Sequence, residues 1–255
     1  MIAAIFRDEA PYLREWIEFH QLVGVKHFAL YDNGSVDESH AVLAPYVQRG
    51  IVSVIPWNSF AAGQNAQRLA YAHALTNFGN RCAWMAFIDI DEFLFTENPV
   101  QLSEQMRAYE DVDVVHVGRY EFGPSGHAVQ PRGLVLENYT ERGHLTDVPK
   151  VKSIVRPCCA TAVGTHRTLV RGGPARTREE ARPLRINHYF TKSEAEFRAK
   201  LTRGWPEGAC HDLELKWKLH AHIVGPVVRD ETVLPLAAEL AIRMGLRQNP
   251  TSVAA

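Results

Sequence analysis

The sequence has no long apolar run. Nowhere in its 255 residues does a stretch approach the roughly 18 apolar residues of a membrane span, so no spanning helix is expected. The opening MIAAIFRDEA is apolar too briefly for a secretory leader, and acids follow at once; it reads as a first strand. Charge of one sign is also missing. The 28 lysines and arginines face 29 acids, for a formal charge of −1. There is no basic field to draw nucleic acid and no polybasic run. Cysteine is scarce, and Cys82, Cys158, Cys159 and Cys210 fit no zinc spacing. Cys158 and Cys159 are adjacent, which suits a bond between them poorly. All four are expected to be reduced thiols, filling space as small hydrophobes. A cytoplasmic protein is therefore expected, with peripheral contact at the inner face of the membrane left open. Repeats, low-complexity segments and linkers are absent too.

What is present is an ordinary globular composition, 46% hydrophobic and 22% charged, on a chain long enough to bury a sizeable core. A single domain over 1–255 is expected. The first half alternates apolar runs with amphipathic ones. IAAIF, HFALYDN, IVSVIPW, WMAFIDI and VDVVHV read as strands. Between them, PYLREWIEFHQLVG reads as a helix with Pro11 at its start and Gly24 at its end. SVDESHAVLAPYVQRG is a second helix, with Ser35 as N-cap and Gly50 at its end. GQNAQRLAYAHALTNFG is a third, with Ala66, Leu69, Ala70, His73 and Ala74 on one face, and VQLSEQMRAYE follows Pro99 as a fourth. Strand and helix in repeated alternation predict an α/β fold with a three-layer, mainly parallel sheet. Right-handed crossovers then bring the strand ends to one edge. The second half is less regular. FGPSGH is a loop, KSIVRP and RINHYF are short strands, and KSEAEFRAKLTRG and DETVLPLAAELAIRMGL are helices. The basic stretch RGGPARTREEARPLR reads as an exposed excursion.

In open α/β sheets, ligands bind outside the carboxyl ends of the strands. Three of those ends are rich in acids and amides: Arg7-Asp8-Glu9, Asp32-Asn33 and Asp89-Ile90-Asp91. Residues two apart on a strand face the same side, so Asp89 and Asp91 are expected to point together, with Ile88 and Ile90 on the packing face. Two carboxylates so close repel unless a cation neutralises them. A hard divalent ion with oxygen ligands is the natural partner, and such an ion bridges phosphate oxygens and neutralises a leaving group. One imidazole often joins the shell, particularly for manganese. His20, His27, His40 and His73 lie in or beside regular elements and read as core or surface residues. His166 and His188 lie in the half that must close over the strand ends. Of these, His188 is followed by Lys192, four residues on, and a metal histidine with a phosphate lysine is a sensible pairing.

These residues carry a resemblance. FRDEAPYLREWIEFHQLVGVKHFALYDNGSVDES, FIDIDEF, YEFGPSGH, KSIVRP and INHYFTKSEAEFRAKLTRG occur in an order that resembles glycosyltransferases of the A-type fold. Family 92 and the related bacterial family-2-like group are the nearest in pattern. The resemblance implies a Rossmann-like nucleotide-diphospho-sugar transferase fold. Residues 1–118 would then form the nucleotide-sugar half, and 119–255 the half that closes over metal and acceptor. It implies a hexosyltransferase that moves a sugar from a nucleotide-sugar donor, a UDP-sugar, to a hydroxyl on a glycan or glycoconjugate. Mn2+ or Mg2+ would be the cofactor, the reaction would invert the sugar carbon, and polysaccharide biosynthesis would be the setting. Asp89 and Asp91 match the family's Asp-x-Asp, the second holding the metal and the first nearer the ribose, with His188 as the third metal ligand. Asp32 matches the acid that contacts base or ribose. Arg7 and Glu9 sit where the family lines the base pocket, although many relatives carry Asn where Asp8 stands. Gln64 and Arg68 approach the nucleotide, and Lys192 meets its phosphates. Gly123, Ser125 and Gly126 match a loop near the acceptor.

An inverting reaction also needs a carboxylate to take the acceptor's proton. Glu121, Asp212 and Glu92 are the candidates, beside Asp91 as the metal-holding member of the catalytic set. Two other readings stay open. A phosphohydrolase of the haloacid dehalogenase type also ends an apolar strand in Asp-x-Asp, but a Thr or Ser usually follows there, where Glu92-Phe93 stand here. A binding protein without turnover is the other.

Overall fold

In the computed structural model, residues 1–58, 65–143, 150–172, 177–179, 182–203 and 227–248 are described. Each short apolar run becomes a buried strand. These are β1 (Ile2–Phe6), β2 (Phe28–Asp32), β3 (Val52–Pro56), β4 (Met85–Phe87), β5 (Glu92–Thr96) and β6 (Val114–Glu121). The later strands are β7 (Glu141–Gly143), β8 (Val151–Val155), β9 (Ala160–Val163), β10 (Thr168–Val170), β11 (Thr177–Glu179), β12 (Leu184–His188) and β13 (Val227–Arg229). The helices are α1 (Ala10–Leu22), α2 (Ser39–Gln48), α3 (Ala66–Phe78), α4 (Leu102–Gln105), α5 (Val135–Asn138), α6 (Glu194–Arg203) and α7 (Leu234–Arg243).

One sheet of nine strands runs β3-β2-β1-β4-β8-β6-β12-β5, with β11 beside β6. Pairing is parallel from β3 through β4 and from β6 to β11 and β12, while β5 and β8 run against the rest. The mainly parallel sheet is therefore as expected. Strand alternation divides the core in two. Ile2, Ala4 and Phe6 of β1 face a cluster with Leu13, Trp16, Ile17 and Phe19 of α1. Ala3 and Ile5 face Ala66, Ala70, Tyr71 and Ala74 of α3. Helices on both faces of the sheet make the three layers. Full burial of each large apolar side chain contributes about 1.5–3 kcal/mol, which is why these runs are held so firmly as strands.

Several local expectations are corrected. β4 ends at Phe87, and Ile88–Asp91 form a turn closed by Glu92 N donating to the Asp89 carbonyl, 3.1 Å. The turn, rather than strand alternation, brings Asp89 and Asp91 to one place. Ser35 does not cap α2, which begins at Ser39; its hydroxyl accepts from Asp8 N at 3.0 Å. Leu69 is 41% exposed and Tyr71 takes its place on the buried face of α3. The helix after Pro99 is only four residues of α4 followed by a 3-10 turn. The basic excursion is partly sheet, since Thr177–Glu179 pairs with β6 and Leu184 and Arg185 open β12. Cys82, Cys158 and Cys159 are free thiols, and Cys210 lies outside the described residues.

Candidate active site

The Asp89–Glu92 turn is clamped from α1. Trp16 Nε1 donates to the carbonyls of Glu92 at 2.8 Å and Asp89 at 3.2 Å. One turn on, His20 is wholly buried. Its Nδ1 donates to Trp16 O at 2.8 Å, which leaves Nε2 to accept from Leu94 N at 3.1 Å. Burial pushes the imidazole down to about 3, so His20 is a neutral strut between α1 and β5.

The acids of the turn meet separate partners. Asp89 Oδ2 lies 2.7 Å from Lys152 Nζ, and its Oδ1 accepts from Gln67 Nε2 at 2.6 Å and Tyr71 OH at 3.3 Å. Burial opposes its ionisation, and the Lys152 ammonium overrides that and holds the carboxyl below its ordinary value. Glu92 is fully buried, with Oε1 2.8 Å from Arg119 Nη1, and Oε2 3.4 Å from Lys152 and accepting from Asp89 N. It orients the turn. Among the described residues, then, Lys152 and Arg119 are the direct cationic partners of Asp89 and Glu92.

Asp91 differs. Its Oδ2 meets Lys200 Nζ at 2.5 Å, and its Oδ1 lies 3.4 Å from His188 Nε2. The other ring nitrogen of His188, Nδ1, is 2.6 Å from Glu121 Oε2. Burial works against a charged imidazole, but Glu121 and Asp91 raise His188 to about 9. Burial likewise opposes the Glu121 carboxylate, and His188 and Arg119 bring it down to about 2. Arg119 Nε also binds Glu121 Oε1, at 2.7 Å. Glu121 is therefore held by both His188 and Arg119, so its carboxylate fixes the orientation of the imidazole.

The INHYFTKS segment is sewn to the turn by its backbone. Tyr189 N donates to Asp91 O at 2.8 Å, and Phe122 N to His188 O at 2.9 Å. Lys192 follows with φ 50°, in the left-handed region where side chains are strained. Among the described residues, the other non-glycine positions with positive φ are Asp8 and Ser125, so there the strain falls on segments already singled out. Lys192 is 5% exposed, and its ammonium sits 3.8 Å from the centre of the Tyr12 ring. Among the described residues it makes no ion pair. Burial lowers its pKa, with Glu9 opposing.

The other residues singled out lie as follows. Asp32 accepts from Ser35 N and from His40 Nε2, both at 2.8 Å, and so shapes the loop after β2. Arg7 is exposed, 3.8 Å from Asp8. Arg68 is exposed and reaches the Val163 carbonyl at 3.4 Å, tying α3 to β9. Gln64 and Asp212 lie outside the described residues. Lys152, Arg119, Gln67 and Lys200 were not singled out by sequence. The signal for Lys152 and Arg119 was there: a cation inside a strand that is buried almost throughout survives only beside a buried acid.

The arrangement fits a divalent ion held by few protein ligands. Two cis ligands about 2.1–2.2 Å from an octahedral ion stand about 3 Å apart, close to the spacing of Asp91 Oδ1 and His188 Nε2. Glu121 behind the imidazole is the carboxylate–histidine support common at metal sites. Among the described residues no three His, Cys, Asp or Glu side chains are grouped to hold an ion unaided. An ion held here would have to draw further ligands from phosphate and water.

Comparison with known proteins bears on this site. The model of "Glycosyltransferase family 92" matches residues 2–210. A glycosyltransferase family 92 protein of Ricinus communis is 29% identical over 212 residues, 79% of this chain and 37% of that protein. The galactan beta-1,4-galactosyltransferase GALS2 of Arabidopsis thaliana is 27% identical over 194 residues, 69% of this chain and 36% of that protein. The chain thus spans little more than a third of these relatives. Among solved structures, S. aureus TarS 1–349 in complex with UDP aligns with a TM-score of 0.41 and 13% identity, over 62% of this chain and 46% of that one. With a family match over most of its length, the chain belongs to glycosyltransferase family 92.

Proposed function

We propose that this chain is a metal-dependent, inverting hexosyltransferase domain that moves a sugar from a UDP-sugar to a hydroxyl of a glycan or glycoconjugate. The observation that carries this reading is the Asp91–His188 pair, 3.4 Å apart with Glu121 fixing the imidazole. Asp91 and His188 would hold Mn2+ or Mg2+. Once bound, the ion would neutralise the charge that gathers on the departing diphosphate.

The chain's own groups do the rest. Lys192, buried and without an ion-pair partner among the described residues, donates to the diphosphate. Asp89 is fixed by Lys152, Gln67 and Tyr71; it orients the ribose and gives up the metal-ligand role first assigned to it. Glu9 and Arg7, at the end of β1, border the nucleoside, and Asp32 holds the loop that supports it. With Glu121 engaged by His188 and Glu92 by Arg119 and Lys152, Asp212 would take the acceptor's proton. The galactan galactosyltransferase among the relatives supports a polysaccharide hydroxyl as acceptor.

The test is a panel of UDP-sugars with manganese and oligosaccharide acceptors, with product configuration read by NMR. Transfer with inversion is expected, and Asp91→Asn should lower kcat by about 10²–10³. Donor binding without transfer or donor hydrolysis would favour a binding protein. Phosphate release from simple monoesters would favour a hydrolase.

A further inference from the structure

The two acids of the motif are each paired with a lysine, and the two lysines are held very differently. The Lys152 side chain is 1% exposed, sits within a strand and touches both Asp89 and Glu92. It has nowhere to go. The Lys200 side chain is 18% exposed and, among the described residues, Asp91 is the carboxylate it meets. Its ammonium also lies 4.0 Å from the centre of the Phe190 ring and 3.4 Å from the Phe190 carbonyl.

The backbone under Lys200 is well anchored. Glu196, one turn earlier on α6, accepts from Tyr12 OH, Tyr139 OH and Ser193 Oγ. Phe197 packs on Phe190 with ring centroids 5.6 Å apart. Only the flexible four-carbon stem of Lys200 has to move. Lys200, His188 and Lys192 all favour the charged form of Asp91, but His188 is also held by Glu121, so Lys200 is the direct partner left free to exchange.

We infer that Lys200 is a displaceable internal cation, resting on Asp91 in the donor-free protein and moving to the donor's diphosphate when metal and nucleotide bind together. This rests on the reading of Asp91 and His188 as the metal pair. Lys200 then competes with the metal for one oxygen of Asp91, so the free protein holds the metal weakly. It becomes a second ammonium on the diphosphate beside Lys192, so the ternary complex is tight. Metal and nucleotide binding are thereby coupled.

Free Mn2+, followed by electron paramagnetic resonance, tests this with wild type, Lys200→Met, Lys200→Gln and Lys200→Arg, each with and without UDP. Circular dichroism checks that each variant is folded, and the glutamine form serves if the methionine form is not. Wild type should bind Mn2+ weakly alone and much better with UDP. The neutral variants should bind Mn2+ alone at least about tenfold more tightly than wild type, because a competing charge is gone. At saturating Mn2+ they should bind UDP at least about tenfold more weakly, because a charge-assisted contact is lost. Arginine should keep the wild-type pattern. If wild type binds Mn2+ with UDP but the neutral variants match it in both titrations, the role of Lys200 is overturned and the metal reading survives. If no form binds Mn2+ even with UDP, both are overturned.

Discussion

Lys152 Nζ lies 2.7 Å from Asp89 Oδ2 and 3.4 Å from Glu92 Oε2, with the lysine side chain 1% exposed. The burial of two acids at the end of an apolar strand is thus compensated inside the protein, before any ligand arrives. The pairing raises the ammonium's pKa: burial opposes it, and Asp89 and Glu92 win. Lys152→Met leaves two carboxylates short of a cation and should destabilise the fold by about 3–5 kcal/mol. Adding Asp89→Asn should recover part of the loss, because Glu92 keeps Arg119 while the uncompensated charge on Asp89 disappears. Urea unfolding of the two variants checks both statements.

His20 sets an acid limit on the fold. Its imidazole is pushed down to about 3 from an ordinary value of 6.5. The unfolded chain therefore takes up this proton before the folded one does. Its contribution to stability is full above pH 6.5 and is lost as pH falls from 6.5 toward 3, at up to about 1.4 kcal/mol per pH unit. His20→Asn should be less stable at pH 7 and should flatten this acid limb by about one proton. Denaturant midpoints between pH 4 and pH 7.5 measure the slope. An unchanged slope would mean that another group governs it.

Glu121 acts through His188. With the carboxylate 2.6 Å from Nδ1, Glu121→Gln should keep the fold yet weaken Mn2+ binding in the presence of UDP by about 10–100-fold. Were Glu121 instead the proton acceptor, the substitution would lower kcat and leave Mn2+ affinity unaltered. Metal titration beside steady-state kinetics separates the two.

Much of the fold is readable from periodicity. The alternation of Ile2, Ala4 and Phe6 against Ala3 and Ile5 divides exactly the two faces that α1 and α3 cover. The parallel order of β1, β2 and β3 follows from the helices between them. What periodicity misses is the turn at Asp89, because β4 stops at Phe87 while the apolar run continues past it. Ile88 and Ile90 are buried in a turn as fully as they would be in a strand. The pairing of Asp89 with Lys152 and of Asp91 with Lys200 spans 63 and 109 residues, and local pattern carries no information at that distance. His188 stands out in the sequence because it ends a short strand with Lys192 four residues on. Lys200 does not, because a lysine on an amphipathic helix ordinarily faces solvent.

The central claim is that Asp91 and His188 serve a metal-bound diphosphate donor. Calorimetry of UDP binding with saturating Mn2+ and then with excess chelator tests it most directly. The account predicts a loss of at least about 100-fold in affinity on chelation, since the remaining ammonium groups replace only part of the ion's charge. Equal affinity in the two conditions would contradict it.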